Sequence, residues 1–257
     1  MLLLLATIAS AIGARAESSS TRAAADAMQR NQRAEQAYRA RDLDEAASEW
    51  LAYLDQSVAQ PPAERARVLY NLGNVAFRQN KVLESVGWYT AALRLRPRDG
   101  DTWRNLEHAR TAAKLDPADR GDLAATLERL LTSLTPSESE RLFAGVLLVW
   151  AACLAVEALR GGRTWRLISI VATALVVLGA LPLVVVRARE SAERMLVISS
   201  ERVALHSEPR GDAAAVGELA PGDAVERLDA LPEWVKVESA SGAVGWVKAG
   251  AVFDLRR

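Results

Sequence analysis

Residues 167–186, LISIVATALVVLGALPLVVV, are twenty consecutive positions without a charge. At ~1.5 Å rise per residue a helix of that length spans roughly 30 Å, the thickness of a bilayer's hydrocarbon core. The run predicts a transmembrane helix over 165–187. It makes the chain a membrane protein and fixes the solvent for the segments around it, which must be assigned to a side.

A second apolar run lies just upstream, unbroken from Leu142 to Val156 and then interrupted by Glu157. Fifteen residues are short for a span. Glu157 stands where a carboxylate reaches back to the headgroups, one turn from Arg160. A first span over 140–160 is expected, with a buried or re-entrant apolar helix as the alternative. The residues Arg160 to Arg166 carry three arginines around Gly161 and Gly162, so the two spans are expected to form a helical hairpin.

Residues 1–16, MLLLLATIASAIGARA, have an apolar stretch of signal-peptide length and small residues at Ala14 and Ala16. No Lys or Arg precedes that stretch, so an N-terminal anchor is the alternative to a signal peptide. Either way residue 17 onward lies outside the cytoplasm, and two further crossings return the C-terminus to the same side. The arginines of the 160–166 loop then face the cytoplasm, as positive-inside bias prefers. Arg187, Arg189 and Arg194 at the other end of the second span weaken that argument.

Lys+Arg and Asp+Glu balance at 32 each, so no net field favours nucleic acid. The single cysteine, Cys153, lies in the first span, which excludes an intrachain disulfide and a cysteine metal site. No cofactor or metal is expected. The histidines, His108 and His206, fall in different segments, His206 in an expected turn, and neither accompanies a nucleophile or carboxylate pattern. There is no phosphate loop and no HExxH, so no catalytic residue is assigned and the chain reads as a non-enzyme.

From Ala66 the chain reads ARVLYNLGNVAFRQNKVLESVGWYTAALRLRPRD, thirty-four residues. Leu69, Leu72, Gly73, Tyr89, Ala92, Leu93 and Pro97, with Ser85 as the small residue between two helices, resemble a tetratricopeptide repeat. Asn80 replaces the usual turn glycine and tolerates a left-handed backbone. Residues 27–60 form a degenerate copy through Ala34, Ala37, Ala46, Trp50 and Tyr53, and residues 100–114 restart the pattern as a capping helix. The array is expected over 27–114. Arg67, Tyr70, Asn74, Phe77 and Arg78 recur at helical steps on a second face, with Tyr38, Arg39, Arg104 and His108 at comparable positions in the neighbours. In the repeat family that face lines a groove, so these nine residues are the candidate partner-binding set; ordinary surface is the alternative.

Residues 119–134 place Leu123, Leu127, Leu130, Leu131 and Leu134 at helical spacing, predicting a juxtamembrane amphipathic helix. It either packs on the repeats or lies on headgroups. Thr135-Pro136-Ser137-Glu138 then reads as a capping box with proline at the first helical position.

Beyond the second span the apolar residues fall in short alternating runs separated by Gly and Pro turns. RVALHSEP, VGELAPGDAV, EWVKVE and GAVGWV resemble the bacterial SH3 domain, with Gly217, Gly222, Trp234, Gly245 and Trp246 at its signature positions. The domain is expected over 197–257, with both tryptophans in core or rim packing. The resemblance implies cell-wall peptides or glycans, or protein partners, as ligands.

In sum the fold class is a multidomain membrane protein: an all-α tetratricopeptide array, a transmembrane helical hairpin and a small all-β SH3-like barrel. That module order resembles the BatE-type proteins of the Bacteroides aerotolerance operon. The resemblance implies location in the bacterial inner membrane with both soluble modules extracytoplasmic. It also implies membrane-anchored von Willebrand A-domain partners, an indirect MoxR-type ATPase, and a role in stress tolerance or envelope maturation. The expected function is a scaffold that binds protein partners; the alternative is a peptidoglycan-binding anchor or sensor.

Overall fold

Caps and left-handed residues set the helix limits in the N-terminal half. The computed structural model describes residues 23, 25–56, 60–117 and 133–256. The segment 1–16 lies outside the described residues. So does the expected amphipathic helix over 119–134, apart from Ser133 and Leu134, which form a bend. The described part of the N-terminal unit has five helices: α1 over 25–39, α2 Leu43–Leu54, α3 Pro62–Arg78, α4 Val82–Leu95 and α5 Gly100–Ala112. The Asp42 carboxylate caps α2 by accepting from the Glu45 N–H at 3.0 Å, and Pro62 opens α3, where its missing N–H costs nothing.

α1, α3 and α5 each run into a non-glycine residue at positive φ: Arg41 at 65°, Asn80 at 62° and Lys114 at 56°. Asn80 and Lys114 are thirty-four positions apart. The ends of α1 and α3 repeat one hydrogen-bond pattern. Asp42 N–H donates to the Ala37 carbonyl at 2.9 Å and Lys81 N–H to the Ala76 carbonyl at 2.9 Å. The packing repeats with it. Gly73 faces the buried ring of Tyr89, Ala34 and Trp50 are buried at the corresponding places of the first pair, and Ala46 and Ser85 are fully buried at the start of the following helices. Gly73 is required: a Cβ there would stand 2.5 Å from Cε1 of Tyr89. Backbone entropy disfavours glycine inside a helix, and the ring in its place recovers that loss as buried apolar area.

The second unit begins with two long helices. α6, Pro136–Arg160, and α7, Arg163–Ser191, are both apolar enough over membrane length to span a bilayer. The capping box at the start of α6 forms: Glu138 N–H donates to Thr135 Oγ1 at 3.3 Å, and Thr135 N–H to Glu138 Oε2 at 2.9 Å. Only Gly161 and Gly162 separate the helices, at φ +62° and +100°, where an L side chain would be strained. The turn is therefore tighter than the expected 160–166 loop, because Arg163 already starts α7. α6 and α7 pack on each other. Trp150 Nε1 donates to Thr173 Oγ1 at 3.0 Å, and that hydroxyl donates to the Ser169 carbonyl at 2.8 Å. Arg187 pairs with Glu140 at one end of the hairpin.

Seven strands follow: β1 Arg194–Val197, β2 Val203–His206, β3 Ala215–Leu219, β4 Ala224–Ala230, β5 Trp234–Ser239, β6 Val244–Lys248 and β7 Val252–Asp254. They form one antiparallel sheet in the order β3-β2-β6-β5-β4-β1-β7. Met195, Val197, Leu205, Leu219, Val225, Val235, Val237, Val247 and Val252 make a single core. Every strand contributes to it, so the sheet must curl round on itself. β1 starts three residues before the expected boundary at 197, and its Met195 belongs to the core.

Candidate binding surfaces

Among the described residues, two surfaces carry polar and aromatic groups together, one in each unit. On the helices, the face that α3 turns away from its packing side meets α5. Tyr89 Oη donates to Asn74 Oδ1 at 2.8 Å. Asn105 Nδ2 lies 3.0 Å from the same oxygen and 3.1 Å from Tyr70 Oη, donating to both. Tyr70 and Tyr89 also stack tilted at 5.9 Å. These groups form a closed hydrogen-bonded floor.

Beside that floor lie side chains with less to do structurally. The exposed Arg78 guanidinium sits 4.4 Å from the centre of the Tyr38 ring, within cation–π range. The Phe77 ring is 5.0 Å from the exposed His108 imidazole. Tyr38 packs at 5.8 Å on Trp50. Burial pushes the Tyr38 phenol above its ordinary pKa, with Arg78 pulling the other way. Burial and the neighbouring phenols of Tyr70 and Tyr38 push Tyr89 up further. Both stay protonated at neutral pH, so neither phenol offsets the charge of Arg78.

Six of the nine residues singled out from sequence, Tyr38, Tyr70, Asn74, Phe77, Arg78 and His108, are linked by these contacts. The other three are engaged elsewhere. Arg39 pairs with Glu35 at 3.7 Å, Arg104 pairs with Asp101, and the exposed Arg67 lies where its charge acts on the Tyr53 phenol. Asn74 and Tyr70 serve the floor. Sequence reasoning missed Asn105, which the helical spacing from His108 places on the same face.

On the barrel, strand alternation divides inside from outside. In β5, Val235 and Val237 point into the core while Trp234 and Lys236 point out; in β6, Gly245 and Val247 point in and Trp246 out. Trp234 and Trp246 are half-buried on the outer face and belong to no part of the core. A core filled by valine and leucine has no room for an indole. Register brings the outer residues together: His206 opposite Trp246, Trp246 opposite Lys236, and Trp234 opposite Lys248. His206 lies edge-on to Trp234 at 5.6 Å. It is the last residue of β2, not a turn residue, and its Nδ1 donates to the Ala213 carbonyl at 3.0 Å. That leaves Nε2 as the ring's remaining polar atom. Two tryptophans, one imidazole and two lysines make a face suited to stacking and to hydrogen bonding with acceptors.

The signature glycines differ in what they require. At Gly245 a Cβ would stand 2.7 Å from Leu205 Cγ and 2.8 Å from the His206 carbonyl oxygen. Gly222 follows Pro221 in a turn closed by Asp223 N–H to the Ala220 carbonyl, and its φ of +80° suits glycine there. At Gly217 the nearest atoms would be 3.8 Å away, so a methyl group fits.

Residues 201–252 match the family described as Bacterial SH3 domain. The match covers β2 to β6 and the start of β7 and leaves β1 outside. No curated protein matches the chain. The C-terminal segment is thus a bacterial SH3 domain, which points to a protein- or peptidoglycan-binding module, beside two helices apolar enough to span a membrane.

Proposed function

We propose that the chain is a membrane-anchored scaffold, without catalytic activity, that holds protein partners on the helical face and makes a second contact through the SH3 domain. Pairwise repetition of α1–α2 and α3–α4, with left-handed residues at Arg41, Asn80 and Lys114, supports reading the helices as a short tetratricopeptide array. The observation that carries the reading is the pairing of Arg78 with Tyr38 and of His108 with Phe77 on one exposed face. These groups can grip a peptide by charge-assisted hydrogen bonds and stacking without disturbing the floor beneath. The BatE-type resemblance suggests von Willebrand A-domain membrane proteins as the partners, a MoxR-type ATPase acting indirectly, and an extracytoplasmic location in the inner membrane.

The test is crosslinking in native membranes followed by identification of captured proteins. Arg78→Ala with His108→Ala should reduce capture by roughly tenfold or more, since each lost charge-assisted bond costs about 1.5–3 kcal/mol when desolvated. Helical circular dichroism should be unchanged. Undiminished capture by the double variant would return this face to plain surface. The outer aromatic face of the barrel favours a second reading, a peptidoglycan-binding anchor. Retention of the full chain on isolated sacculi, lost in Trp234→Ala, would support it.

A further inference from the structure

α7 runs into the barrel through Ala192 and Glu193 alone. β1 leaves that junction and β4 returns antiparallel to it, with Arg194 opposite Glu226. The Arg227 N–H donates to the Glu193 carbonyl at 2.7 Å, and Arg227 Nε donates to the Glu193 carboxylate at 2.6 Å. Beyond this pair β4 continues to Ala230 before the chain turns through Leu231, Pro232 and Glu233 into β5. The β4–β5 hairpin therefore extends past the start of β1, on the side of the barrel where α7 arrives. A register shift between Arg227 and Asp229 adds one residue to β4, so Leu231, whose N–H donates to the Trp234 carbonyl, stands three β5 steps or about 10 Å beyond Arg227 at ~3.3 Å per residue. From Glu193, level with Arg227, the extended Ala192–Glu193 junction and the polar end of α7 from Arg187 to Ser191 together span about 15 Å. With α7 continuing the line of β1, the hairpin tip stands about 5 Å short of the level where α7 becomes apolar, at the depth of the headgroups.

Its tip is apolar and open. Leu228 is 48% exposed and Leu231 45%, although the barrel's own core excludes both. Pro232 is exposed beside them, and the half-buried Trp234, whose carbonyl accepts from the Leu231 N–H at 2.7 Å, closes the turn. A single exposed leucine is ordinary. Two leucines at one tip with a tryptophan behind them, next to a bilayer-length helix, fit the boundary between headgroups and acyl chains. The charged groups at the tip nearly balance. Asp229 accepts from the Ala230 N–H at 2.8 Å and stands opposite Lys236, and Glu233 is offset by Lys248 opposite Trp234. Insertion here is driven by apolar area rather than by anionic lipid.

We propose that the β4–β5 hairpin dips Leu228 and Leu231 into the headgroup region of the leaflet that α7 enters, so that the barrel rests on the membrane surface. The proposal depends on α7 being embedded in the bilayer. The test uses the full chain with Cys153→Ala and one new cysteine at Leu231, Leu178 or Ala240, each carrying an environment-sensitive fluorophore. The protein is reconstituted in phosphatidylcholine vesicles with or without nitroxide-labelled lipid. Leu178 reports the span itself, and Ala240 lies at the opposite end of β5. Quenching at Leu231 should exceed that at Ala240 severalfold, and Leu178 should be quenched throughout. Equal, weak quenching at Leu231 and Ala240 with strong quenching at Leu178 would overturn the proposal. So would a blue-shifted but unquenched label at Leu231, which would mean a protein covers the tip. An unquenched Leu178 would remove the embedded helix, and the proposal with it. Leu228→Cys gives a second reporter at the tip should Leu231→Cys melt differently from the parent.

Discussion

At position 245 a methyl group has nowhere to go: Leu205 and the His206 carbonyl already occupy its place. Gly245→Ala must push backbone as well as side chain. It should cost about 3 kcal/mol or more and unfold a domain this small, seen as loss of strand circular dichroism in the barrel fragment. Gly217→Ala should melt within about 1 kcal/mol of the parent, because its neighbours lie at ordinary contact distance. Glu193 makes a different residue-scale prediction. Arg227, which donates to its carboxylate, and Arg256, 2.7 Å away, hold the Glu193 carboxyl below its ordinary pKa of 4.5. A lowered native pKa binds fewer protons than the unfolded chain. The stabilisation is therefore complete above pH 4.5 and is lost as pH falls from there through the lower native value. Glu193→Gln should lower the melting temperature at pH 7 and bring the two proteins' curves together on acidification. Parallel curves down to the acid limit would show that the ion pair adds nothing.

Among elements, those fixed by local chemistry were readable in the sequence. The capping box at Thr135 and Glu138 and the left-handed turn at Asn80 each depend on a few neighbouring residues, and each formed as expected, whereas α3 starts at Pro62, inside the 61–65 stretch read as a separator. β1 was hidden because RMLV follows a helix that runs on through Arg, Ala and Glu, good helix formers with no stop signal. The tryptophans, expected in core or rim packing, lie on the outer face and not in the core. Bulk apolar area suggested a core, whereas the alternation in WVKVE already sent Trp234 outward with Lys236. Asn74 looked available on a helical wheel and proved committed, because its partner Asn105 arrives from a helix thirty-one positions away. With Trp246 half-buried on the outer face, Trp246→Ala should cost about 1–2 kcal/mol and leave the barrel folded, less than the ~3–5 expected for a core tryptophan. Urea denaturation of the purified fragment measures it.

For the whole molecule, the proposed anchoring has both bilayer-length helices, joined by Gly161 and Gly162, cross the membrane, which would return the chain to the side from which it came. Alkaline phosphatase fused after Lys114 and after Arg257 should therefore give matching activity, and fused at Gly162 the opposite. Active outer fusions would place both soluble units outside the cytoplasm; mismatched outer fusions would mean a single crossing. The junction at Ala192 and Glu193 bears on what the SH3 domain can meet. With only two residues joining it to α7, its binding face would sample a layer on the order of 25 Å deep, about the diameter of a domain of that size. A ligand lying in that layer experiences an effective concentration on the order of millimolar, as for a short linker, whereas the same chemical group held one diameter farther off is never encountered. Under the proposed membrane anchoring the domain would thus act as a proximity gauge, selecting by altitude above the lipid before chemistry has any say.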